Sequence, residues 1–110
     1  MKESDIILVY VTCENIVQAK KIGRHLMDKR LCACINIFSN IKSFSLWPPK
    51  TGKIEKAKEA VLIIKTLKDK FSIIEKEIYR IHTYKNPCIM ALPIIQVSKK
   101  YYSWLKGEIK

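Results

Sequence analysis

Glycine is scarce in this chain: three in 110 residues, Gly23, Gly52 and Gly107, with no two adjacent. That excludes a glycine-rich phosphate loop, which needs several close together. Histidine is scarcer, and neither His25 nor His82 stands in a nucleophile motif. No apolar run approaches the roughly 18–20 residues that span a bilayer, so no membrane partner is expected. The opening MKESDIILVY carries two acids and no small-residue cleavage site, so it reads as a first strand and not a leader. The compartment expected from this is the cytoplasm.

Acids are also few, 10 against 21 basic residues, for a net charge of +11. A basic domain raises nucleic acid, acidic lipid and anionic metabolites as partners. Only three of those residues are arginine, however, and the lysines are spread along the whole chain. Bidentate reading of guanine or phosphate favours arginine, so a solvated lysine surface is the better reading and a nucleic-acid partner is not expected.

What is abundant is β-branched and apolar: 48% of residues are hydrophobic. Residues 6–11 (IILVYV) form a continuous strand-like run. Thr12 is placed to cap a helix bearing Ile16, Ala19, Ile22 and Leu26, with Gly23 inside it. Residues 31–47 alternate as a strand, with Cys32, Cys34, Asn36 and Phe38 on one face. A bulge or kink is expected at residues 39–40, after which Ile41, Ser43 and Ser45 resume the pattern. The PPKTG turn at 48–52 and the strand of residues 54–66 complete an antiparallel hairpin. Thr66 and Asp69 have capping-box spacing before Phe71, Ile74, Ile78 and Ile81. Pro87 ends that helix, residues 88–97 form a fourth strand with Pro93 at an edge or a bulge, and Ser98 opens a short last helix bearing Tyr101, Trp104 and Leu105.

The order predicts one α+β domain over residues 1–110: a ferredoxin-like β-α-β-β-α-β antiparallel sheet with a short C-terminal helix. Both main helices lie on one face, which leaves the other uncovered and points to oligomerisation.

The chemistry-bearing residues are sparse. Four cysteines in a reducing compartment read as buried thiols or metal ligands, not disulfides. Cys32 and Cys34 stand about 7 Å apart along a strand, and no second pair completes a four-ligand set. His82 and Cys88 flank a loop that can bring them together, although the spacing matches no standard zinc motif. Glu55 and Glu59 read as ordinary strand-end charges. No catalytic constellation stands out, so no enzyme activity is expected.

Nearly the whole chain, from about Leu8 to Leu105, resembles the CutA family of divalent-cation tolerance proteins. The resemblance is carried by Val11-Thr12, Arg30-Leu31, Ala33-Cys34-Ile35-Asn36, Ser43, Trp47, Glu59, Ile64-Lys65-Thr66, Leu92-Pro93 and residues 102–105. His82, Tyr84 and Pro87 match the family's His-Pro-Tyr-x-x-Pro-Glu stretch. Thr83 stands for its first proline and Cys88 for its acid. A copper-ligand cysteine of one branch falls at Val11, with Cys13 two positions on.

The resemblance implies a cytoplasmic homotrimer with interlocking hairpins and a role in metal tolerance. It implies His82 and Cys88 as metal residues, with the soft thiolate favouring copper or zinc. A second reading is a P-II-like regulatory trimer binding a small anion or nucleotide in an inter-subunit cleft lined by Trp47, Glu59, Lys65 and Tyr84. A third is a stable trimeric scaffold for a partner protein.

Overall fold

The isoleucine- and valine-rich run forms β1, Ile6–Cys13, in the computed structural model, which describes residues 4–110. Residues 1–3, part of the stretch read above as lacking a leader, lie outside the described residues. The long hairpin is β2 (Cys34–Leu46) and β3 (Ile54–Leu67), and β4 is Ile89–Pro93. The strands lie in the order β2-β3-β1-β4, every neighbouring pair antiparallel. Three helices, α1 (Ile16–Asp28), α2 (Phe71–Ile81) and α3 (Lys99–Glu108), complete an α+β fold. None of the described helices is long and apolar enough to cross a membrane.

Alternation decides which side chains meet. Val9 and Val11 of β1, Leu62 and Ile64 of β3, Ile22 and Leu26 of α1, and Ile74 and Ile78 of α2 form one fully buried cluster. Each such side chain contributes about 1.5–3 kcal/mol by leaving water. Gly23 lies in the buried stripe of α1, and a Cβ there would collide with Ile35 Cδ1 and come 3.3 Å from Leu62 Cδ1. The close approach comes from sheet side chains, and it is what sets the helix tight against the sheet. A second cluster, Ile6, Leu67 and Leu105, anchors α3 at one end of the opposite, open face.

Several local expectations change. Thr12 remains inside β1, and the cap of α1 is Asn15, whose side chain accepts from Gln18 N–H. Thr66 is not a cap either: it is buried in β3 and its hydroxyl donates to Leu31 O at 2.6 Å. The chain enters α2 through a 3-10 turn at Lys68–Lys70 instead. Satisfying the buried carbonyl after α1 outweighs the capping spacing. Cys32 precedes β2, so the expected shared strand face with Cys34 does not form; Cys32 is in the helix-side core and Cys34 is half-buried. The fourth strand is shorter than its apolar run, and it does hold the edge, with Pro93 opposite Ile7.

β3 outruns its neighbour. β1 ends at Cys13 opposite Ala60, so Ile54–Glu59 pair only with Ile41–Leu46. The pairing shifts between Phe38 and Ile41, where Asn40 has φ 58°, placing the expected bulge at the root of this two-stranded arm. The arm exposes Phe44 (65%), Leu46 (72%) and Ile54 (63%). It also draws the molecule out to 46 × 27 × 24 Å.

On the outer side of the helices, Glu77 is held by three basic groups. Its Oε1 lies 2.6 Å from His25 Nε2, 2.8 Å from Arg80 and 3.7 Å from Lys29. Hydrogen bonds from Arg80 and His25, with the charges of Arg80 and Lys29, pull its carboxyl down to about 2.

Two outcomes follow from this packing. Gly23→Val should lower stability by about 1–3 kcal/mol through overpacking, read by chemical denaturation at fixed protein concentration. Glu77 is depressed in the folded state, so its stabilisation is complete above the unfolded value and is lost as pH falls from about 4.3 toward about 2. Melting temperatures across that window should fall less steeply for Glu77→Gln than for the parent.

Candidate functional site

The open face of the sheet, the root of the hairpin arm and the loop at residues 82–88 enclose a cavity of about 660 Å³. Its floor follows from strand alternation. Glu55, Ala57 and Glu59 of β3 point to this face, opposite Ser45, Ser43 and Ile41 of β2. Small side chains in the middle leave space there. Tyr10 and Thr12 of β1, Trp47 of the hairpin turn and Tyr84 of the loop supply the walls.

The loop is fixed from two sides. α2 stops at His82, whose backbone turns extended. The buried His82 ring donates from Nε2 to Thr12 O at 2.8 Å and accepts the Tyr84 N–H at Nδ1, 3.1 Å away. Those two bonds define the neutral tautomer with its proton on Nε2. From the other side, Gln18 Nε2 donates to Thr83 Oγ1 at 2.6 Å, while Gln18 Oε1 accepts the Glu14 N–H at 2.7 Å. Thr83, where the family stretch has proline, therefore contributes a hydroxyl that ties the loop to α1.

Tyr84 then points its hydroxyl at Glu59, donating to Oε2 at 2.8 Å. Burial and this bond raise the phenol well above its ordinary range. Burial, then the Glu59 charge, also raises the Cys88 thiol. The same pair of causes pushes Cys13 up to about 12. Cys32 is pushed to about 12 by burial and the neighbouring Cys34. These thiols are protonated at neutral pH, which suits core packing and poorly suits nucleophilic attack.

The expected site residues divide. Trp47, Glu59, Tyr84 and Cys88 all line the one cavity, whereas Lys65 does not. Lys65 lies six residues along β3 from Glu59, about 20 Å away at the backbone, with its Nζ over the Tyr101 ring. Cys13 shares the helix-side core with Val11, on the face away from the cavity. His82 sits beneath the loop, and ligating a metal through Nδ1 requires giving up the Tyr84 N–H. Among the described residues, no three His, Cys, Asp or Glu side chains converge on a common point.

Glu55 is exposed at the start of β3, as expected, and it also lines the cavity. The period of two that joins Glu55 to Glu59 was the available signal. Gln18 and Thr83 had none, because their contact spans 65 positions. The small-anion reading loses support at this point: two carboxylates and a single ammonium, that of Lys85, line the cavity.

The chain matches the family model described as CutA1 divalent ion tolerance protein over residues 7–108. It is 40% identical over 102 residues to the divalent-cation tolerance protein CutA of Archaeoglobus fulgidus, covering 93% of this chain and 96% of that one. It is 37% identical to the Xenopus laevis Protein CutA homolog, covering 91% of this chain and 64% of the relative. The crystal structure of CutA1 from Oryza sativa superposes with a TM-score of 0.91 at 32% identity, covering 98% of this chain and 96% of that one. The Archaeoglobus fulgidus structure, described as a periplasmic divalent cation tolerance protein, gives 0.90 at 37% identity, covering 96% and 99%. This chain belongs to the CutA1 divalent ion tolerance family.

Proposed function

We propose that the protein serves divalent-cation tolerance as a non-catalytic homotrimer of ferredoxin-like units, with the open-face cavity as its cation seat. The observation that carries this reading is the concentration of acid in one place. A chain of net charge +11 puts Glu55, Glu59 and the Cys88 thiol into a single cavity. Such a cavity attracts cations against the sign of the whole molecule.

For copper or zinc the fitting pair is Cys88 with Glu59, a soft sulfur beside an oxygen donor. His82 supports this pair by positioning Tyr84, and joins it only by breaking that contact. Two donors make an incomplete shell, leaving room for water or a neighbouring subunit. The raised cysteines are not prepared as nucleophiles, and Cys88 takes a metal only after losing its proton. Four free cysteines fit a reducing compartment such as the cytoplasm.

The trimer reading rests on surface that one chain leaves bare. An isolated two-stranded ribbon is marginal in water, yet the arm carries three large exposed apolar side chains. Met90 and Leu92 add to them on the open face of β4. A neighbouring copy is the cover that explains both.

Zinc titrated into reduced protein should bind saturably, and Cys88→Ser or Glu59→Gln should each weaken it by about tenfold or more. Affinity should rise with pH, because Cys88 must release a proton to bind and burial holds that proton on. Absence of saturable binding sinks the metal seat. Native mass measurement should give three chains, and Phe44→Asp should shift the population to single chains. A monomeric parent protein overturns the assembly.

A further inference from the structure

We propose that the cavity is a receptor for linear diammonium ions, short α,ω-diamines whose two charges are taken by Glu55 and Glu59. This rests on reading the cavity as a cation seat and names the shape of cation it is built for. Spacing carries the inference. The two glutamates are four residues apart on one face of β3, so their Cα atoms stand about 13 Å apart. Carboxylates mounted that far apart suit two separated charges better than one metal ion, whose bonds to oxygen are only about 2.0–2.6 Å.

The surface between them suits a hydrocarbon chain. Ala57 and Ser43 form the floor there and leave a trough along the strand, while Trp47 and the tyrosines wall it. Aromatic walls shield methylene groups, and their faces attract an ammonium within about 6 Å. At about 660 Å³ the cavity falls within the range of about 300–1,000 Å³ usual for small organic ligands.

Both carboxylates are also available. Neither Glu55 nor Glu59 forms an ion pair among the described residues, although 18 lysines surround them in the sequence. Tyr84 engages only Oε2 of Glu59, which leaves Oε1 to accept from a ligand and fixes the group in place. Ser45, opposite Glu55, adds a hydroxyl near that end. Lys85 is the one opposing charge on the lining, and it disfavours a cation without cancelling two anions.

The test uses the full-length protein with Trp104→Phe, so that Trp47 is the remaining tryptophan and reports on the cavity wall. Putrescine should change its fluorescence saturably and bind about tenfold or more tightly than butylamine, which has the same carbon chain and one charge. Glu55→Gln should bring putrescine down to the butylamine level. Lys85→Ala should tighten putrescine binding. Thermal melts of each variant confirm folding, and the exposed positions of Glu55 and Lys85 make loss of fold an unneeded explanation.

Putrescine binding no tighter than butylamine overturns the proposal, and so does discrimination that survives Glu55→Gln. If zinc binds and putrescine is not discriminated, the diammonium reading falls and the cation seat stands. If putrescine is discriminated and zinc does not bind, the metal assignment falls and this proposal stands. If neither binds, both fall.

Discussion

The mismatch in strand length between β3 and β1 governs the rest of the structure. β3 has 14 residues and β1 has 8, so β3 and β2 continue as an arm with no third strand to hold them. Where β1 stops, the sheet opens, and the loop after α2 folds over the gap. The cavity, its two carboxylates and the bare apolar arm therefore share one cause. A shorter hairpin would remove the cavity and the exposed ribbon together.

Inside that gap the decisive element is a neutral histidine. His82 spends one nitrogen on the end of β1 and the other on the loop backbone, so it joins the sheet to the cavity wall. Tyr84 inherits its orientation from this and passes it on to Glu59. The imidazole acts here as a bracket that sets Tyr84, and through it Glu59, along the cavity wall.

Much of this was legible in the residues. The run of IILVYV, the steps of Phe71, Ile74, Ile78 and Ile81, and the Pro/Gly turn marked strands, helix and hairpin, because local periodicity reports burial directly. The helix starts were misplaced for a physical reason: Thr12 and Thr66 can each cap or pair, and distant partners chose for them. The candidate site was half visible. Trp47, Glu59, Tyr84 and Cys88 converge, while Lys65 matched the pattern and lies at the far end of its strand. Gln18 and Thr83 show the remaining limit, since a hydrogen bond between segments so far apart leaves no trace in either.

The bulge at residues 39–40 has a consequence for how such a cavity is kept open. Counting by twos from Phe38 along an unbroken β2 would bring Lys42 and Phe44 onto the cavity side. The extra residue exchanges them for Ile41, Ser43 and Ser45, and Phe44 turns to the other face, where it meets Lys56. The bulk needed to plug the cavity is thus already in the strand, one step out of phase. Openness here is a matter of parity, and changing it takes a slip of one residue and no change of amino acid.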